Sequence, residues 1–252
     1  MDLARSVVLI TGASSGIGRS TAMMMAARGA RVLVCGRDEA ALKQVAAACH
    51  GQALPADLSS AAACADLAAR AIDVHGRVDV LVSSAGLGAA GPFEQLAPEA
   101  IVELAQVNLV APLLLARALL PGMLARGDGH LLMIGSIAGL TGVADEAVYA
   151  ATKAGLSIFA ESLRLECHGR GVGVSTVVPG VVATAFFERR GVPYGRRWPR
   201  PVPPERIARA VVENVERDRA ETIVPRWLSF APRIRGLSPK LYVHLARRFG
   251  NN

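Results

Sequence analysis

The sequence predicts a doubly wound parallel α/β sheet in one domain, followed by a short helical extension. Three observations predict it. Short apolar runs rich in β-branched residues, as expected of strands buried on both faces, alternate with helix-forming stretches from residue 6 to residue 224. A glycine turn joins the first run directly to the first helix. The residues best equipped for chemistry fall just past the carboxyl ends of predicted strands, where ligands bind in such sheets.

Ser6–Ile10 reads as the first strand, and Thr11 to Gly18 follow as a turn. Arg19–Arg28, rich in methionine and alanine, reads as the first helix. Gly12 permits the tight turn, Gly16 lets backbone approach a pyrophosphate, and Gly18 allows close helix–strand packing. The spacing is Gly-x-x-x-Gly-x-Gly, with Ser14, Ser15 and Ile17 between the glycines. The helix N-terminus would face the phosphates with free N–H groups and a partial positive charge. Arg31–Cys35 is the second strand, and Asp38 caps the helix Glu39–Cys49. Gln52–Ala56 is a short third strand, after which Ser59 caps a helix to about Val74. Arg77–Val82 is the fourth strand, and Pro98 opens a long helix through Asn108 to about Arg126. His130–Gly135 is a fifth strand that delivers Ser136. Tyr149–His168 is helical, Gly173–Val178 is the sixth strand, Pro204–Arg217 is a helix, and Glu221–Val224 is the last strand. Such alternation, with right-handed crossovers, gives the doubly wound sheet.

Tyr149 and Lys153 stand four residues apart, on one face of their helix, and thirteen residues after Ser136. A phenol beside an ammonium is easier to deprotonate and can exchange a proton near neutral pH. The Ser136 hydroxyl could hold a carbonyl oxygen before that phenol.

Together, the glycine turn, Ser136, Tyr149 and Lys153 resemble the short-chain dehydrogenase/reductase family in its single-domain, Rossmann-fold branch. The likeness runs from about Ser6 to about Val224. It implies a nicotinamide cofactor held by the glycine turn, with Asp57 and Leu58 near the adenine ring. Pro179, Gly180, Val182 and Thr184 match the Pro-Gly-x-x-x-Thr stretch that covers the nicotinamide amide. Asn108 matches a helix asparagine that anchors a water of the proton relay; by its residue type it could equally bond backbone at a helix kink. Ser83-Ser84-Ala85-Gly86 departs from the family's Asn-Asn-Ala-Gly, although both serines can still bond backbone. The resemblance further implies that Lys153 lowers the pKa of Tyr149 and holds ribose hydroxyls. It also implies a homodimer or tetramer built on the helices around Asn108 and after Tyr149.

An acidic residue at the tip of the second strand would select NAD(H) by accepting from the ribose 2′-OH. Gly36 stands there instead, followed by Arg37, with Arg19 just past the glycine turn. Guanidinium groups grip a 2′-phosphate, so NADP(H) is favoured over NAD(H).

The chain of 252 residues suffices for one α/β domain. No apolar run approaches a spanning helix: the longest, Leu109–Leu120, is interrupted by Pro112 and Arg117. Cys35, Cys49, Cys64 and Cys167 show neither paired nor metal-ligand spacing, so buried free thiols, a reducing cytoplasm and no metal are expected. Residues 1–224 form the expected catalytic domain, with a substrate lid over 186–204 holding Phe186, Phe187, Tyr194 and Trp198 among arginines. Its aromatic lining favours an apolar carbonyl substrate. Those arginines read as solvated charges, or else as recognising a phosphate or carboxylate, and Asp145 and Glu146 as solvated loop charges, or else as substrate contacts. Residues 186–252 hold fifteen Arg or Lys against six Asp or Glu. In the extension, 225–252, Leu237, Leu241, Leu245 and Phe249 recur every four residues among basic side chains. That pattern suits a membrane surface, a dimer partner or the protein's own cleft. No nucleic-acid recognition module is present.

Three functions follow. The first is NADPH-dependent reduction of a ketone or aldehyde, with Tyr149 as general acid/base. The second is oxidation of a lipid or steroid-like alcohol. The third is a non-catalytic cofactor sensor, against which the intact Asn108, Ser136, Tyr149 and Lys153 set argues.

Overall fold

The computed structural model describes residues 1–195 and 199–249, with side chains to residue 246. Trp198 and the side chains of Arg247, Arg248 and Phe249 lie outside the described residues. Seven parallel strands form one sheet: β1 (Val7–Thr11), β2 (Arg31–Gly36), β3 (Gln52–Pro55), β4 (Val80–Ser83), β5 (Gly129–Ile134), β6 (Val172–Pro179) and β7 (Glu221–Val224). Their order is β3-β2-β1-β4-β5-β6-β7, so the chain reverses direction between β1 and β4. This is the doubly wound, Rossmann-type sheet, with its switch point at the glycine turn.

Although β1 is buried along its whole length, its side chains still alternate between two cores. Val8 and Ile10 join a layer with Met25 of α1 (Gly16–Ala26), Leu42 of α2 (Glu39–Ala48) and Val211 of α9 (Pro204–Arg217). Val7 and Leu9 join the opposite layer with Leu67 of α3 (Ala61–His75), Met123 of α5 (Ala111–Arg126) and Leu156 of α7 (Ala147–Glu166). Burial on both faces explains the continuous apolar runs. All four cysteines are free and buried among these side chains, and burial pushes the Cys35 thiol up to about 12.

Several boundaries differ from expectation for physical reasons. Helix α3 is capped by Ser60, whose hydroxyl accepts from the Ala63 N–H at 3.2 Å; Ser59 instead donates its N–H to the Asp57 carboxylate. Strand β4 begins only at Val80, just after an ion pair between Arg77 and the buried Asp79. The long helix runs Pro98–Arg126 as α4 (Pro98–Ala105), a π-helical turn at Gln106–Val110, and α5. At 29 residues it is long and apolar enough to cross a membrane, contrary to the reading of interrupted runs. It serves here as a core helix, with Leu104, Leu115, Leu119 and Met123 buried. Outward it leaves Val102 exposed, as α7 leaves Ile158 and Leu165, on the helices where a partner copy is expected.

At the amino end of β5, far along the strand from Ser136, His130 is buried with its Nε2 2.7 Å from the Ser175 hydroxyl. That hydroxyl donates to the Arg219 carbonyl at 2.6 Å, so the imidazole is the donor of the pair. Burial pushes His130 down to about 4, opposed by Asp218 and assisted by the N-terminus and Arg164. The unfolded chain binds this proton near the ordinary value of about 6.5. Stability is therefore expected to fall as pH drops from about 6.5 toward 4, by up to roughly 3 kcal/mol. Urea titrations across that range check it: His130→Gln should flatten the profile, and an equally flat wild-type profile would refute the assignment.

Candidate active site

The cradle is built first. Helix α1 starts at Gly16, earlier than the expected Arg19, so Gly16, Ile17 and Gly18 form its first turn. Its N-cap, Ser15, is extended and makes no side-chain cap, leaving the first N–H groups for a ligand. Gly12 has φ +65°, and a Cβ there would stand 2.7 Å from the Ala85 Cα. A Cβ on Gly18 would stand 2.3 Å from the Gly12 carbonyl oxygen. Only glycine lets these backbones meet. Thr11 completes the turn: its hydroxyl accepts from the N–H groups of both Ser84 and Ala85 at 3.1 Å. Sequence reading passed over this threonine, and it anchors the loop where the family's asparagines are missing. Ser83 does not contribute as expected; its buried hydroxyl has no partner among the described residues.

Remaining positions of the expected cofactor set converge on this edge. Gly16 abuts Thr184, whose Cγ2 lies 2.9 Å from a would-be Cβ. Gly180 donates its N–H to the Val224 carbonyl at 2.8 Å, fixing the turn after Pro179. Ile17 and Val182 turn their side chains into the core, so only their backbone is left for a ligand. Leu58 is likewise buried, whereas Asp57 is exposed beside it. At the tip of β2, the Ser14 hydroxyl lies 3.5 Å from where a Cβ on Gly36 would stand. Arg19 and Arg37 are both exposed. Asp38 caps α2 through a 2.9 Å bond from the Ala41 N–H and so belongs to the helix. An open helix N-terminus, glycines where a Cβ would collide, and this small-residue corner together fit a dinucleotide.

Ser136 follows β5 by two residues and caps the short α6 (Ile137–Leu140), accepting from the Ala138 N–H at 3.2 Å. Lys153, only 4% exposed, donates to the Ile134 carbonyl at 2.9 Å. Gly86 and Gly139 make room for it: a Cβ on Gly86 would stand 3.6 Å from its Nζ, and one on Gly139 would strike its backbone at 2.6 Å. Asn108 is fully buried in the π-helical turn. Its side chain is committed within the protein, accepting from the Leu87 N–H at 2.8 Å and donating to the Leu87 carbonyl at 2.9 Å and the Thr152 hydroxyl at 3.3 Å. Any water anchored by this residue must therefore use its main-chain carbonyl. The residue four places on is Pro112, which has no N–H to donate to that carbonyl.

The tyrosine differs from the expectation. Tyr149 lies near Ser136, and burial pushes its phenol up to about 12, with a hydrogen bond from Ser136 opposing the rise. Glu146 adds to the rise and Arg190 opposes it. Lys153 does not lower it. Its Nζ is 6.0 Å from the ring centroid, and burial holds the ammonium itself down to about 8. Desolvation governs both groups.

The lid folds onto this tyrosine. Phe186 of α8 (Phe186–Arg189) stacks on Tyr149 with centroids 5.6 Å apart, and the contacts continue through Phe187 to Tyr194. Arg190 lies over the Phe187 ring and pairs with Glu146, and both side chains are largely buried. Neither is the solvated charge expected. Arg189 reaches the Ser15 hydroxyl at 3.3 Å and so ties the lid to the glycine turn. Beside Tyr149, Phe93, Leu96, Leu104 and Ala147 line a small, largely apolar hollow of about 10 Å³, with Asp145 and Glu146 also in its wall.

Sequence comparison matches residues 6–192 to the short chain dehydrogenase family description. The chain is 34% identical over 232 residues to the ketoacyl reductase HetN of Nostoc sp., covering 88% of this chain and 79% of that protein. A solved short-chain dehydrogenase from Sphingobium yanoikuyae in complex with NADPH superposes with a TM-score of 0.83 at 30% identity, covering 93% and 95% of the two chains. A short-chain dehydrogenase/reductase from Burkholderia phymatum in complex with NAD has a TM-score of 0.87 at 23% identity, covering 96% of each chain. At that identity the likeness concerns the fold alone.

Proposed function

The chain belongs to the short-chain dehydrogenase family, and from that premise we propose that it is an NADPH-dependent reductase of apolar ketones or aldehydes. As a member it is an oxidoreductase acting on CH–OH/C=O groups. One observation carries the reading: Ser136 and Tyr149 stand together under Phe186, so a carbonyl placed there meets a hydroxyl to hold its oxygen and a phenol to give it a proton. Similarity to a ketoacyl reductase supports the reductive direction.

When bound, NADPH supplies the hydride. The glycine turn and the open end of α1 would hold its phosphates, and the Pro179–Thr184 turn would cover its nicotinamide end. Ser136 holds the substrate oxygen and polarises the carbonyl. Tyr149 gives that oxygen its proton. Lys153, charged below about pH 8, donates to hydroxyls in the cofactor site and restores the proton through water at the Asn108 carbonyl. The aromatic lid over Tyr149 excludes water and favours an apolar substrate.

Preference for the 2′-phosphate rests on Gly36 in place of an acidic residue, on the exposed Arg37 and Arg19, and on the NADPH complex of a relative. Fluorescence titration is expected to show tighter binding of NADPH than NADH, and Arg37→Ala should erase most of the difference. A bidentate arginine–phosphate contact of roughly 1.5–3 kcal/mol corresponds to about ten- to a hundredfold in affinity. Equal binding of the two cofactors by the wild type would refute the preference.

A further inference from the structure

We propose that the C-terminal extension is a docking face for an anionic lipid bilayer. From Thr222 to Asn252 the chain has six arginines and lysines and no aspartate or glutamate. The expected single amphipathic helix is broken at Ser238–Pro239 into α10 (Phe230–Leu237) and α11 (Pro239–Phe249). Leu237 therefore ends α10 and does not continue the stripe of α11.

The break leaves two short helices whose outer faces mix apolar and basic groups. On α10, Phe230, Arg233 and Leu237 fall on one stripe by helical spacing, and all are exposed, Leu237 to 89% and Phe230 to 61%. On α11, Lys240, Leu241, Val243 and His244 fall on one exposed face. The opposite sides are tied down. Arg235, turned away from the α10 stripe, donates to the Leu140 carbonyl at 2.8 Å, and the Tyr242 hydroxyl donates to the Gly142 carbonyl at 2.9 Å. Leu228, in the turn Arg226–Ser229, packs against Gly180. The exposed face is thus held on a fixed base, beside the segment that follows Ser136.

Charge selects the occupant. A two-fold contact between copies would set each cluster of cations against its own copy, and stable interface cores exclude charge. Nucleic acid would answer the cations but not the exposed leucines, valine and phenylalanine. An anionic bilayer surface answers both, taking the apolar side chains into the headgroup boundary and the cations onto lipid phosphates.

Co-sedimentation of the full chain with vesicles of phosphatidylcholine alone, and of phosphatidylcholine mixed with phosphatidylglycerol, tests this. Binding to the mixed vesicles that weakens with salt is expected. Leu237→Asp with Leu241→Asp should weaken it roughly tenfold or more, as should Arg233→Glu with Lys240→Glu. These positions are exposed and outside the cofactor site, so NADPH binding and circular dichroism should not change, which separates this test from the reductase assignment. Absence of binding to either vesicle overturns the proposal, as does equal binding to both. If the leucine variant instead halves the sedimentation mass without any vesicle binding, the face belongs to a second copy and the proposal fails.

Discussion

Tyr149→Phe is expected to lower kcat/KM for carbonyl reduction by roughly 10²–10⁴-fold while leaving NADPH affinity within about twofold. The substitution removes one hydroxyl and keeps the ring, so the stack on Phe186 at 5.6 Å and the wall of the apolar hollow are retained. Only the proton donor and its bond with Ser136 are lost. Steady-state assays with an apolar ketone, paired with NADPH fluorescence titration, read the two effects separately. Turnover within tenfold of wild type would show that Tyr149 is not the acid. Joint loss of turnover and cofactor binding would show a structural role instead. A smaller split is expected on truncating Arg190 or Glu146, which act on the phenol in opposite senses and only through charge.

A comparably large effect, on stability alone, is expected at the other end of the sheet. Asp79 is only 2% exposed and accepts from the Val7 N–H at 2.9 Å, while Arg77 and Arg126 approach its two carboxylate oxygens at 3.2 and 3.4 Å. It ties the amino ends of β1 and β4 together. Asp79→Ala leaves a buried N–H without an acceptor and two guanidiniums without their counter-charge. The expected cost is about 2–4 kcal/mol, or a Tm lower by on the order of 10 °C. Asp79→Asn keeps an acceptor for Val7 and should lose less than alanine. Urea denaturation of both variants checks the ranking; an unchanged midpoint for Asp79→Ala would show that the arginines contribute nothing and that the N–H finds another partner.

The sequence by itself determined the strand–helix alternation, the glycine turn, and the constellation of Ser136, Tyr149 and Lys153. Each is written in short-range spacing: apolar runs of strand length, glycines where φ or contact distance forbids a Cβ, and a four-residue step along one helix. Helix α9 and strand β7 fall on their expected bounds because proline opens the one and charged residues separate the two. Tertiary structure decided what depends on residues distant in the chain. Thr11 holds the loop at Ser84, Arg189 joins the lid to Ser15, and Arg190 pairs with Glu146, across separations of 73, 174 and 44 residues. The proton affinity of Tyr149 belongs to this second group. Spacing alone places an ammonium near the phenol, but burial sets the cost of charging each, and in this fold that cost governs both. The break between α10 and α11 follows a local proline signal, whereas the side left exposed was chosen by the bonds to Leu140 and Gly142. Spacing along one chain encodes neighbours on an element; which distant groups meet, and how much water is left between them, is set only when the elements pack.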